Sequence, residues 1–240
     1  MRARLALVPL VAAAALLSGC GTSPGTATTS TATASTPTNN GVAALSADEI
    51  LTKAKAALIA AKSFHVKGNL SEGGQAVAVD FKVSGSDLSG TAQMNGGNIE
   101  IIKVGDDLYV KAPDEFWSAL TPSGKPAQFA ALKGKYAKAD TTFAAFATIS
   151  GAFTPDALLK PEGTTSKGAT KTVGGIPAIG VVDTKDRSVV YIATQGEPVP
   201  LAFDSADGKS EALVTEHGQA MDIKAPAATD VVDVKSLMNG

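Results

Sequence analysis

Val77-Ala78-Val79-Asp80-Phe81-Lys82-Val83 is the stretch on which the fold turns. In an extended chain Val77, Val79, Phe81 and Val83 share one side, while Ala78, Asp80 and Lys82 share the other. This two-residue period marks a half-buried strand. The neighbouring segments repeat it. Phe64, Val66 and Leu70 alternate with His65, Lys67 and Asn69. Leu88, Ala92 and Met94 continue the pattern across Gly90, and Asn98 to Val104 and Asp107 to Lys111 flank a Gly105-Asp106 turn. Short alternating runs separated by Gly, Ser, Asn and Asp predict an antiparallel meander with one apolar and one wet face.

Upstream, Ser46-Ala47-Asp48-Glu49 has the form of a capping box, so a helix is expected to about Lys62. Its apolar positions Ile50, Leu51, Ala54, Ala57, Leu58 and Ala61 share one face, which makes it amphipathic. Downstream, Asp114 to Leu120 and Ala127 to Ala139 read as helical around a Pro122 to Pro126 loop. Thr142 to Ser150 carries Phe143, Phe146 and Ile149 at helical spacing. Thr154 is the best N-cap for a further short helix to about Lys160, because Pro155 then falls at the first helical position. Strands return at Thr170 to Val173, Ala178 to Asp183, Ser188 to Thr194, Val199 to Asp204, Glu211 to His217 and Met221 to Lys224. The expectation is an α+β domain over residues 46–240, with helices covering one face of a large antiparallel sheet of about ten to eleven strands.

The start of the chain is of another kind. Arg2 and Arg4 precede an apolar run from Leu5 to Leu17 that is interrupted only by Pro9. The run is too short to span a bilayer comfortably and fits a signal segment over residues 1–19. It ends in Leu17-Ser18-Gly19-Cys20, which resembles the lipobox of bacterial lipoproteins. The resemblance implies a diacylglycerol thioether on Cys20 and a chain held on the outer face of the cell membrane. Cys20 is the one cysteine in the sequence, so no intramolecular disulfide is possible and stability must come from a packed core.

Residues 20–45 read as a disordered tether, rich in Thr, Ser, Ala and Gly and free of charge. As a coil it would span roughly 25–30 Å, at about 5–6 Å × √n. Removing the signal segment takes away Arg2 and Arg4, so the net charge moves from −2 to −4. That balance argues against a nucleic-acid partner, which would want a basic face.

Motifs for chemistry do not survive their context. Gly21-Thr22-Ser23-Pro24-Gly25 matches a nucleophile-elbow string but lies in the tether, without the strand and helix that the elbow needs. Gly163 and Gly168 have phosphate-loop spacing, but Ala169 stands where the lysine belongs. His65 and His217 are the only histidines and read as exposed strand residues. Asp204, Asp207 and Gly208 echo a calcium loop but lack its further carboxylates, so an ordinary turn is expected. Neither a cofactor nor a metal is called for, and no catalytic residue is assigned. Trp117 beside Phe116 reads as core or as the mouth of an apolar cavity.

The apolar inventory is the positive signal. Bulky Phe129, Leu132, Phe143, Phe146, Ile149, Phe153, Leu158 and Leu159 face a sheet rich in Val, Ala and Gly. Small residues opposite large ones interdigitate or leave a space lined by hydrocarbon, and composition allows both. If there is a space, alternation and helix facing give its lining as Val66, Val79, Phe81, Met94, Ile101, Phe129, Phe143, Phe146, Ile149, Phe153, Tyr191 and Leu201.

Several short stretches, in order, resemble the LppX/LprG/LprA/LprF lipoproteins of actinobacteria and, more distantly, LolA and LolB. They are Lys62-Ser63-Phe64-His65-Val66, Val104-Gly105-Asp106-Asp107-Leu108-Tyr109-Val110 with Trp117 downstream, and Gly174-Gly175-Ile176-Pro177-Ala178-Ile179. Val189-Val190-Tyr191-Ile192 and Pro200-Leu201-Ala202-Phe203 follow. The resemblance implies a half-barrel sheet with helices on its concave face around an apolar cavity. It implies an acylated lipid or glycolipid as ligand, carried within the envelope, with a membrane transporter as a possible partner. No reaction is required, since burying each CH₂ favours the cavity by about 0.8 kcal/mol. The competing expectations are a scaffold for an envelope complex, with a filled core and an exposed apolar patch, and a hydrolase with paired carboxylates in a cleft.

Overall fold

A computed structural model describes residues 38–72, 75–94, 97–120, 130–140, 151–208 and 210–238. Cys20, Phe129, Phe143, Phe146 and Ile149 lie outside them, as do the expected loop at 122–126 and helix at 142–150. Helix α1 spans Ala47–Ala61. It starts where expected, because the Ser46 side chain accepts from the Glu49 N–H while the Glu49 carboxylate accepts from the Ser46 N–H.

Five strands follow as a meander: β1 (Ser63–Glu72), β2 (Gln75–Ser84), β3 (Asp87–Met94), β4 (Gly97–Val104) and β5 (Asp107–Lys111). After helix α2 (Asp114–Leu120) comes strand β6 (Tyr136–Asp140), and after it the short helix α3 (Pro155–Leu158). The second group is β7 (Thr165–Val173), β8 (Ile176–Asp183), β9 (Val189–Ala193), β10 (Pro200–Asp204) and β11 (Glu211–Thr215). Strand β12 (Val231–Asp233) and helix α4 (Val234–Met238) close the described chain.

All strands join one curved, unclosed sheet in the order β12-β6-β5-β4-β3-β2-β1-β11-β10-β9-β8-β7. Every pairing is antiparallel except β12 on β6. The two meanders meet at β1 and β11, with Val66 opposite Val214. Alternation sets the faces as the sequence predicts. Phe64, Val66, Val79, Phe81, Val83, Ile99, Ile101, Leu108 and Val110 are buried in one core with Ile50, Ala54 and Leu58 of α1. On the other face Asp80 pairs with the Lys67 ammonium and is in hydrogen-bond contact with His65 Nε2. The fold is thus the α+β half-barrel expected, with helices on the concave face.

Four local expectations are corrected. Of the helix expected over 127–139, the described residues from 130 on form instead a 3-10 turn at 130–132 and strand β6. Gly134, at φ 70, ends the turn, and half-buried Tyr136 and Lys138 then flank the buried Ala137. The strand expected at Met221–Lys224 is irregular, because β11 already has β1 and β10 on its two edges. With β6 and β12 gained and this strand lost, the sheet has twelve strands against the ten to eleven expected. The folded domain also includes residues before Ser46. Asn39 bridges to Gln195, a 3-10 turn runs over Val42–Ala44, and Val42 is buried at 1% exposure.

Thr154 caps α3 with Pro155 at the first position, as read from the sequence. Trp117 is core, with its indole N–H donated to the Ala112 carbonyl at 3.2 Å. Among the described residues no helix is long and apolar enough to cross a membrane.

Candidate functional site

The described members of the expected lining fall into three places. Val66, Val79, Phe81, Ile101 and Phe153 belong to the packed core. The Phe81 and Phe153 rings meet at 4.3 Å between centroids, and Phe81 has no exposed surface. These residues fill the space beneath β1 to β4 with each other. Tyr191 points away from Val190 and Ile192, which belong to that core. Its ring lies against Gly180 on the convex face, with the Lys171 ammonium 4.8 Å above its centroid. Tyr191 therefore does not share a lining with Val66 and Phe81. Met94 ends β3 opposite Gly97.

Leu201 is the exception. It belongs to a second apolar cluster with Val173, Ala178, Ala193, Val199 and Ala202, against which Ala57 of α1 and Tyr191 pack. A register shift between Pro200 and Ala202 in the β9–β10 pair re-aims the chain at this point. Beside the cluster opens a cleft of about 680 Å³, lined by Ala57, Ala60, Ala61, Ile176, Val199 and Leu201 among others. It runs between the last turns of α1 and the ends of β8, β9 and β10. Its size lies within the range of roughly 300–1,000 Å³ typical of ligand sites. The cleft exists because α1 presents alanines there. Larger side chains at 57, 60 and 61 would close it.

Ala57 and Ala61 were legible as part of the apolar helix face. Ala60, Ile176 and Val199 were not, because two of them sit in or beside turns and the third is an exposed alanine. The rim is formed by Ala193, Gln195 and Gly196, and the first described residues are stapled to it. The Asn40 side-chain amide donates to the Ala193 and Gly196 carbonyls at 2.9 and 3.0 Å. The Gly196 N–H donates to the Thr38 carbonyl at 3.1 Å, and the Asn40 N–H to that of Thr194 at 3.0 Å. A separate pocket of about 90 Å³ lies among Leu51, Leu158, Leu159, Val181, Val190 and Phe203.

Polar chemistry in the cleft is sparse. Among the described lining residues Glu197 is the one carboxylate and His217 the one histidine. His217 is half-buried rather than exposed. Burial holds its imidazole below the ordinary range, against the opposing hydrogen-bond contact of Nε2 with the Pro200 carbonyl at 3.0 Å. His65 is also less exposed than expected, with Nε2 2.6 Å from Asp80 and Nδ1 3.5 Å from Glu216. It is not among the residues that line the cleft.

Asp204 pairs with Lys171 at 2.9 Å, and Asp207 accepts from Ser205 at 2.6 Å. The 204–208 segment is an ordinary turn. Asp183 pins a different loop. Burial alone would raise its carboxyl, but N–H donors from Lys185, Gly163 and Glu162 outweigh that and leave it lowered. Among the described residues no three His, Cys, Asp or Glu side chains gather as metal ligands.

No protein-family model matches this sequence, and no curated protein is significantly similar to it. Solved structures do match. LprF from Mycobacterium bovis is 14% identical, with 76% of this chain and 97% of that one covered and a TM-score of 0.48. The lipoprotein LppX from Mycobacterium tuberculosis is 12% identical, at 74% and 99% coverage and a TM-score of 0.45. An uncharacterized conserved protein from Thermus thermophilus is 10% identical, at 78% and 98% coverage and a TM-score of 0.43. The chain is thus similar along most of its length, at low identity, to mycobacterial lipoproteins of the type its sequence motifs resemble.

Proposed function

We propose that this chain is a lipoprotein of the bacterial envelope that takes an acyl chain of a lipid or glycolipid into the cleft beside α1 and carries it within the envelope. The observation that carries the reading is the cleft itself: about 680 Å³, walled by alanine, valine, leucine and isoleucine. A site of that lining selects hydrocarbon, and each CH₂ moved from water is worth about 0.8 kcal/mol. The resemblance of the sequence motifs to lipid-carrying lipoproteins supports the same ligand class. Phe129, Phe143, Phe146 and Ile149 are proposed to add to the apolar wall. Lipid on Cys20 holds the protein at the outer face of the membrane, where a transporter is a possible donor or acceptor. No reaction is assigned to the cleft.

The test is native mass spectrometry with lipid extraction on the chain from Gly21 onward, which lacks the anchor. A stoichiometric acylated lipid is expected. An empty protein that also fails to take up a fluorescent fatty acid overturns the reading. It would favour a scaffold for an envelope complex, the second reading. That alternative draws on the filled core at Phe81 and Phe153 and on Leu213, a convex-face leucine left 42% exposed.

A further inference from the structure

Among the described residues the lining of the cleft carries hydrogen-bond acceptors and no cation. Its polar side chains are Gln195, Glu197 and His217. Lys62, the residue that follows α1, is exposed and is not part of the lining. The Glu197 carboxylate is exposed and pairs with no basic side chain among the described residues. His217 supplies a second acceptor. Its Nε2 lies 3.0 Å from the Pro200 carbonyl oxygen, which can only accept. Nε2 therefore carries the ring proton, and Nδ1 of the neutral imidazole keeps its lone pair. Burial holds this imidazole below the ordinary range, which favours the neutral form. Nδ1 has no partner among the described residues. Helix α1 supplies the third, because its C-terminal residues Ala57, Ala60 and Ala61 line the cleft. The end of a helix presents unbonded carbonyls and the negative end of its dipole. Here the Lys62 N–H caps the Ile59 carbonyl, but no basic residue stands in the last turn. The Ala61 carbonyl oxygen lies 3.8 Å from the place a Cβ on Gly218, another lining residue, would take.

We infer that the cleft selects acyl lipids whose head group donates hydrogen bonds and bears no negative charge, such as an acylglycerol or its glycosylated form, over lipids headed by phosphate or carboxylate. The inference rests on the carrier reading above and narrows its ligand. An apolar wall treats equal acyl chains equally, so discrimination between lipids of one chain length falls to the polar groups that the head meets. A hydroxyl head donates to His217 Nδ1, to the Glu197 carboxylate or to a free carbonyl at the end of α1. An ionised phosphate or carboxylate brings acceptors to acceptors and a negative charge to a fixed one. It gives up hydration there without a cation or a donor set to replace it.

The test is competition at pH 7.5 on the chain from Gly21 onward, which retains every described residue. The reporter is a fluorescent monoacylglycerol. The competitors are 1-oleoylglycerol and 1-oleoyl-lysophosphatidate, each below its aggregation limit, which share one chain and differ by a phosphate. 1-Oleoylglycerol is expected to displace the reporter at a concentration at least tenfold lower. Equal potency or the reverse order overturns the inference and leaves the carrier reading standing. A reporter that does not bind also overturns the inference, and the carrier reading falls with it only if extraction finds no lipid. Glu197→Lys, a change at an exposed position, reverses the charge at the cleft. It is expected to shift the ratio of the two potencies at least fivefold toward the lysophosphatidate. An unchanged ratio, with an unchanged urea midpoint, overturns the charge-based selection.

Discussion

Gly90 faces Phe81 across the β2–β3 pair, and a Cβ there would lie 2.1 Å from the Asp80 carbonyl oxygen and 2.5 Å from Phe81 Cδ1. The glycine gives the Phe81 ring its room. Gly90→Ala is expected to destabilise the fold by about 1–3 kcal/mol, the usual cost of overpacking, measured by urea denaturation. Phe81→Ala is expected to cost about 3–5 kcal/mol in the same assay, because it empties a site that Phe153 now closes. A loss below 1 kcal/mol would show that the space around Phe81 is looser than the 4.3 Å ring contact implies.

His217 adds a pH dependence. Its folded pKa lies below the unfolded value of about 6.5. Above that value both states are neutral, and nothing is lost. Below it the unfolded state takes up a proton that the folded state refuses, so stability falls with pH until the folded imidazole also titrates. A urea midpoint followed from pH 7.5 to 5 should drop, and His217→Asn should flatten the slope.

At the scale of elements, the sequence announced those whose period was clean. The capping box at Ser46 and the alternation in β1 to β5 were plain, and so was the Thr154-Pro155 start of α3. Their signals are local, and the tertiary structure agrees with them. Strand β6 was hidden because Lys133 to Ala139 is rich in lysine and alanine, which favour a helix in isolation. Only pairing with β5, with Val110 opposite Ala137, makes it a strand. β12 was missed for the same reason, since its one partner is β6.

The candidate site was legible only through Leu201 and the alanines of α1. A cleft is a matter of what side chains leave unfilled, and alternation reports only which way they point. Tyr191 shows the limit, because both faces of β8 and β9 are apolar and buried there. Helix α1 offers a direct check on the cleft. Ala60→Phe places a ring into it from an exposed position. It is expected to weaken fluorescent fatty-acid uptake at least tenfold with the urea midpoint unchanged. Undiminished uptake would place the ligand elsewhere.

For the whole molecule, the sheet's two edges are handled differently. β7 is irregular, with a register shift between Lys167 and Thr170 and lysines along its length. Both features discourage pairing with another chain. The other end depends on β12, which covers β6 with a short parallel strand drawn from the end of the described chain. Ending the chain at Pro226 bares the β6 edge. Light scattering after mild heating should then show faster aggregation than in the intact chain.

The seam between the meanders also governs when the protein can fold. His65 lies beside Thr215, so the sheet cannot join until nearly all of the chain has been made. At about 5–20 residues per second, synthesis of the intervening stretch takes roughly ten seconds or more. During that interval the early strands have no β11 to lean on, and a chain without its seam is slow to gain non-local structure. A protein built this way stays open while it is being made, and it locks shut only once the strand at 211–215 has emerged.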